Sequence, residues 1–97
     1  MKPVKRIEII IDHVALRHVT TLLEKEGFGS YTVIPETTGK GDRGARSGDG
    51  LSGEFNNAYL LLACPDSDAP RLVELIRPLL KKFGGICLLS DAEWVKH

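Results

Sequence analysis

Six of the ten glycines in this 97-residue chain fall between Gly39 and Gly53, in the run Gly39-Lys40-Gly41-Asp42-Arg43-Gly44-Ala45-Arg46-Ser47-Gly48-Asp49-Gly50-Leu51-Ser52-Gly53. So many residues without a Cβ keep the segment from packing as a helix or a strand. It separates a first half of the chain from a second, and each half reads as strand, helix, strand. A loop this long in so small a domain is normally either functional or disordered. Successive backbone N–H groups interleaved with Lys40, Arg43 and Arg46 form a concavity suited to phosphate or another oxyanion. The function is expected here.

On either side of the loop the hydrophobic periodicity is clear. Val4 to Ile11 reads as a strand in which Ile7, Ile9 and Ile11 alternate with Arg6, Glu8 and Ile10; apolar residues on both faces make it a central strand. Asp12 can cap a helix through its side-chain oxygen. Leu16, Val19, Leu22 and Leu23 then recur at helical spacing until Gly27, a natural residue to end the helix. Tyr31 to Pro35 is a second strand and Asn57 to Cys64 a third, with Tyr59-Leu60-Leu61-Leu62 as its apolar run. Leu72, Leu75, Ile76, Leu79, Leu80 and Phe83 form one stripe of a second helix. Pro65, Asp66 and Asp68 stand at its start, Gly84-Gly85 at its end, and Pro78 inside it predicts a kink. Ile86 to Ser90 is the last strand and Asp91 to His97 a short tail, in which Trp94 and His97 are expected to cover a sheet edge. The order β-α-β-β-α-β predicts an α+β fold, a ferredoxin-like sandwich with both helices on one sheet face.

In that topology the first strand lies between the third and the fourth. Cys64 and Cys87 are then about 9–10 Å apart, two strand spacings, too far for a disulfide. His13 and His18, five positions apart, lie about 140° apart on a helix and share no metal-binding face. Thirteen basic and thirteen acidic residues balance, so no bulk charge draws the chain to nucleic acid or anionic lipid. No run of about 20 apolar residues is present to span a membrane. The start Met1-Lys2-Pro3-Val4-Lys5-Arg6 lacks the cleavage site of a signal peptide, and two cysteines without a Cys-x-x-Cys pair fit a reducing, cytoplasmic setting. The modest core of so short a chain invites oligomerisation, with Ile10 and Leu62 expected on the helix-free face.

The run Gly29-Ser30-Tyr31-Thr32-Val33 followed by Thr38-Gly39-Lys40-Gly41-Asp42-Arg43-Gly44-Ala45-Arg46-Ser47 resembles the PII signal-transduction superfamily. The Tyr-Thr-Val strand with its Gly-Lys-Gly-x-Arg-x-x-Arg loop is most similar to the inorganic-carbon branch, the partners of bicarbonate transporters and the carboxysome-associated members. The resemblance implies one domain over residues 1–97 with a flexible T-loop at about 36–56. It further implies a homotrimer that binds adenine nucleotides, ADP or AMP, in clefts between subunits and reports that state, together with bicarbonate, to a transporter or carboxysome component. Carried over residue by residue, Gly39, Lys40, Gly41, Asp42 and Arg43, with Arg46, line the phosphate and ribose end. Ile10, Tyr31, Thr32, Leu62 and Ala63 line the adenine pocket, and Gly85 lies near phosphate. An apolar slot with a hydroxyl that meets a ring nitrogen is sound chemistry for a purine.

Departures from the nitrogen-regulatory members sharpen the expectation. The loop carries no tyrosine for uridylylation, the glycine loop before the last strand is reduced to Gly84-Gly85, Ile86 stands where those members have lysine, and no arginine-bearing segment follows. Fewer cations are left for a triphosphate, so AMP or ADP is expected over ATP. The alternatives are a nitrogen-status regulator answering ATP and 2-oxoglutarate and, from another class, a slow nucleotide hydrolase. An RNA-recognition module would need aromatic residues on its central strands, an acylphosphatase-like enzyme an arginine loop where Asp12-His13 stands, and a P-loop the run G-x-x-x-x-G-K-[ST]. None is met.

Overall fold

The computed structural model describes residues 1–38 and 56–95. Six elements follow one another: β1 (Lys2–Asp12), α1 (Leu16–Lys25), β2 (Thr32–Thr37), β3 (Asn57–Cys64), α2 (Ala69–Phe83) and β4 (Gly85–Trp94). The four strands form one antiparallel sheet in the order β2-β3-β1-β4. This is the predicted ferredoxin-like arrangement, with the isoleucine-rich β1 in the interior. Among the described residues no helix is long and apolar enough to cross a membrane.

Strand alternation builds the core. Ile7, Ile9 and Ile11 have no exposed surface, and neither do Val19 and Leu23 of α1 or Leu72 and Ile76 of α2, which meet them from the helix layer. The helix ends are set by local chemistry. The Asp12 carboxylate accepts from the backbone N–H of Val14 at 3.1 Å and starts a short 3-10 turn, His13–Ala15, ahead of α1. At the far end Gly27 adopts φ +90°, Phe28 N–H donates to Leu23 C=O at 2.7 Å and Gly27 N–H to Glu24 C=O. That reciprocal pattern is a Schellman cap, and the buried Phe28 completes it. The second helix ends at Gly84, φ +79°. The helix continues through Pro78.

Two expectations are corrected. The last strand does not stop at Ser90 but continues to Trp94, where it pairs with Lys2. Asp91 to Trp94 is therefore sheet rather than tail. Its polar residues are held by partners on β1: Lys5 binds the Asp91 carboxylate, and Arg6 Nε donates to Ser90 Oγ at 3.1 Å. Trp94 is 54% exposed on the edge strand itself, so it covers no edge; His97 lies outside the described residues. The second correction is Leu62. It pairs with Ile7 and is 5% exposed in the core under the helices, so Leu61 takes the helix-free position. The second strand runs Thr32–Thr37 where Tyr31 to Pro35 was expected, a shift of one or two residues at its ends. Cys64 and Cys87 are both free, on strands separated by β1.

Candidate functional site

The helix-free face of the sheet carries the even-numbered residues of β1 and their register partners. Ile10 sits between Tyr59 and Ile86, and Glu8 between Leu61 and Leu88. Ile34, Ile86 and Leu88 are about half exposed there (48, 49 and 51%), an apolar surface larger than scattered single residues would make. In its middle runs a short polar row. Tyr59 donates to Glu8 Oε2 at 2.7 Å, and Arg6 Nε lies 3.8 Å from Glu8 Oε1 while donating to Ser90.

A hollow of about 530 Å³ opens at one end of this face. Its first wall is the segment that leaves α1, Gly29 to Thr32; its floor is Leu61 to Ala63 of β3 with Val4 and Arg6 of β1; Ala92 to Trp94 of β4 close the far side. Of the residues expected to hold adenine, Tyr31, Thr32 and Ala63 meet here, and Leu62 borders it from beneath. Tyr31 and Thr32 divide their roles. The Tyr31 hydroxyl donates to the Glu24 carboxylate on α1, whereas Thr32 is exposed and makes no side-chain hydrogen bond among the described residues. Of the two hydroxyls, that of Thr32 is therefore the one left open to the hollow.

Ile10 and Gly85 are elsewhere. Ala63 is level with Arg6, and Gly85 with Ile11, a separation of five residues or about 16 Å along the strands, with two strand spacings to add. Gly85 also has a packing reason to be glycine, because a Cβ there would lie 2.4 Å from the carbonyl oxygen of Ile10 and 2.9 Å from Ile11 Cα. Gly39, Lys40, Gly41, Asp42, Arg43 and Arg46 lie outside the described residues. Sequence reasoning missed Arg6, Leu61 and Trp94. None belongs to a motif, and only the register of three strands brings them to the hollow.

Two tyrosines, one lysine and both cysteines are held toward their protonated forms. Hydrogen bonds to Glu8 and Glu24 hold the phenols of Tyr59 and Tyr31 above the usual tyrosine value, with desolvation adding to both, and the bond to Asp91 holds the Lys5 ammonium up. Burial pushes up the thiols of Cys64 and Cys87. A group whose folded pKa is raised contributes stability below its unfolded pKa and loses it as pH climbs through the folded one. Resistance to urea is therefore expected to hold to about pH 8, to begin falling as the thiols of the unfolded chain ionise, and to fall more steeply above about pH 10 as the tyrosines and Lys5 follow. A Tyr31→Phe, Tyr59→Phe double variant should show a shallower fall, and an identical alkaline slope would contradict the assignment.

A family model, Nitrogen regulatory protein P-II, matches residues 4–97. Among solved structures, the fold matches CPII, a nitrogen regulatory PII-like protein from Thiomonas intermedia K12 bound to ADP, AMP and bicarbonate, with a TM-score of 0.80, 23% identity, and coverage of 98% of this chain and 96% of that one. A PII-like signaling protein from Thermus thermophilus matches with a TM-score of 0.74, 20% identity, and coverage of 97% and 91%. Among curated protein sequences the chain finds no match. With the family model covering nearly its whole length, the chain belongs to the P-II family of nitrogen regulatory proteins.

Proposed function

We propose that the chain is a non-enzymatic, cytoplasmic PII-like signalling protein. It acts as a homotrimer that binds AMP or ADP between subunits and couples that state, together with bicarbonate, to inorganic-carbon uptake or carboxysome function. The observation that carries the reading is the division of the expected site across one sheet. Thr32 and Ala63 border the hollow at one end, while Ile10 and Gly85 sit at the other. Ala63 and Gly85 of one copy are too far apart for a mononucleotide to touch both, but a nucleotide can lie between the hollow of one copy and the Ile10–Gly85 end of the next. The apolar helix-free face gives such copies a reason to associate. The ligands of CPII, adenine nucleotides and bicarbonate, fit the same scheme.

In this mechanism the base enters the hollow, and the phosphates meet Lys40, Arg43 and the glycine N–H groups at the loop base. Phosphate ordering of that base changes the surface offered to a partner, by no more than the ligand's differential affinity for the two loop states. Arg46 assists in holding a small planar oxyanion such as bicarbonate, which matches guanidinium geometry.

Calorimetric titration with AMP, ADP, ATP and cyclic AMP, with and without bicarbonate, tests the proposal. AMP or ADP is expected to bind at least as tightly as ATP. A preference for ATP of more than about tenfold, ~1.4 kcal/mol, would return the protein to the nitrogen-status reading with 2-oxoglutarate as co-effector, and turnover of the nucleotide to the hydrolase reading. Arg43→Ala is expected to weaken nucleotide binding by about 1.5–3 kcal/mol through loss of a charge-assisted bond, and Arg46→Ala by less. Unchanged affinity in Arg43→Ala, with assembly intact, would remove the loop from the site.

A further inference from the structure

Arg6 is the one cation among the described residues that line the hollow. Its guanidinium is anchored at Nε by Ser90 Oγ, and its two terminal nitrogens make no hydrogen bond among the described residues. The side chain is 52% exposed, so those four N–H donors are available to a ligand. The Glu8 carboxylate 3.8 Å away offsets the positive charge, and Glu93 lines the same hollow. Such a site is poorly matched to a phosphate. It suits a neutral heteroaromatic ring whose ring nitrogens accept hydrogen bonds. Trp94, on β4 across from Lys2, presents a half-exposed indole to the same space. Aromatic faces and guanidinium planes are the two side-chain surfaces on which nucleobases stack, and the volume of about 530 Å³ lies in the small-ligand range of roughly 300–1,000 Å³.

We propose that Arg6 and Trp94 form part of the base-recognition end of the site, Arg6 by donating from its terminal nitrogens to a ring nitrogen of the purine and Trp94 by covering the ring. The inference rests on the nucleotide reading above and extends it to two strands that carry no sequence motif. Trp94 is the only tryptophan of the chain, so intrinsic emission reports on this position alone. AMP is expected to change that emission saturably, over the concentrations at which calorimetry registers binding, and ribose 5-phosphate is expected not to. Arg6→Gln and Trp94→Leu should each weaken AMP about tenfold while keeping wild-type size by light scattering. Arg6→Lys, which keeps the charge and loses the planar fork, should weaken it as well. If either of the first two variants loses wild-type size, the wild-type emission titration and Arg6→Lys decide. AMP binding with unmoved emission, or with wild-type affinity in the variants, overturns the inference and leaves the nucleotide reading standing. A wild-type protein that binds no AMP overturns both.

Discussion

Gly85→Val is expected to cost the domain at least about 3 kcal/mol, enough to leave much of it unfolded at 37 °C. A Cβ at position 85 would sit 2.4 Å from the Ile10 carbonyl oxygen and 2.9 Å from Ile11 Cα. Both are backbone atoms of the interior strand and have no rotamer with which to yield. Relief requires β4 to move away from β1, which breaks the ladder at the end where Ile11 and Cys87 enter the core. Urea denaturation measures the loss, and a midpoint near that of the wild type would show that the two strands pair less closely than described. The variant tests the packing explanation for this glycine and not the ligand one. Loss of nucleotide binding in an unfolded Gly85→Val protein says nothing about phosphate, so the proposed ligand role of Gly85 rests on comparisons among folded proteins.

Leu88→Lys should do the opposite, sparing the subunit and destroying the assembly. Leu88 is half exposed and pairs directly with Glu8; a lysine there gains a cross-strand partner, worth about 0.2–1 kcal/mol to the monomer. If the apolar helix-free face lies between copies, as proposed, the same charge must be desolvated there without a full set of partners, and association is expected to fail. Light scattering at micromolar concentration is expected to return a trimer for the wild type and a monomer for Leu88→Lys. Nucleotide affinity should fall about a hundredfold, roughly 2.8 kcal/mol, because one half of each cleft is gone. A monomeric wild type, or a monomeric variant that binds AMP normally, would remove the intersubunit cleft from the mechanism.

What the sequence made legible follows from where local and tertiary forces agree. The bounds of β3, Asn57–Cys64, were readable because an apolar run ends sharply at Pro65. Gly27 and Gly84 announced their helix ends because only glycine takes their positive φ without strain. Leu62 was placed on the wrong face because Leu60-Leu61-Leu62 is uniformly apolar; such a run shows that a strand is buried but leaves the phase of its alternation open. The second half of β4 was invisible for the converse reason. Asp91, Ala92 and Glu93 have poor strand propensity, and their place is set by backbone pairing with Lys5, Val4 and Pro3, more than eighty residues earlier in the chain, with Lys5 also binding the Asp91 carboxylate. Arg6 and Trp94 could not be read as site residues, since a hollow assembled from all four strands leaves no spacing in any one of them. The loop residues from Gly39 to Arg46 lie outside the described residues, and their place in the site stays an expectation drawn from their chemistry and their resemblance to PII proteins.

The position of β1 in the sheet also sets the order of events during folding. The strand synthesised first is paired on both sides by strands made much later, β3 and β4. Until Asn57 and its successors emerge, Ile7, Ile9, Ile10 and Ile11 have no ladder partner, and a nascent chain must carry an unpaired isoleucine-rich edge past the whole glycine loop. Closing that loop costs little extra entropy for its length, since the cost grows only logarithmically. The delay is instead one of time and exposure. Refolding should be slow for a domain of this size, as long-range pairing dictates, and the newly made amino-terminal half is the stage at which the chain is most open to aggregation.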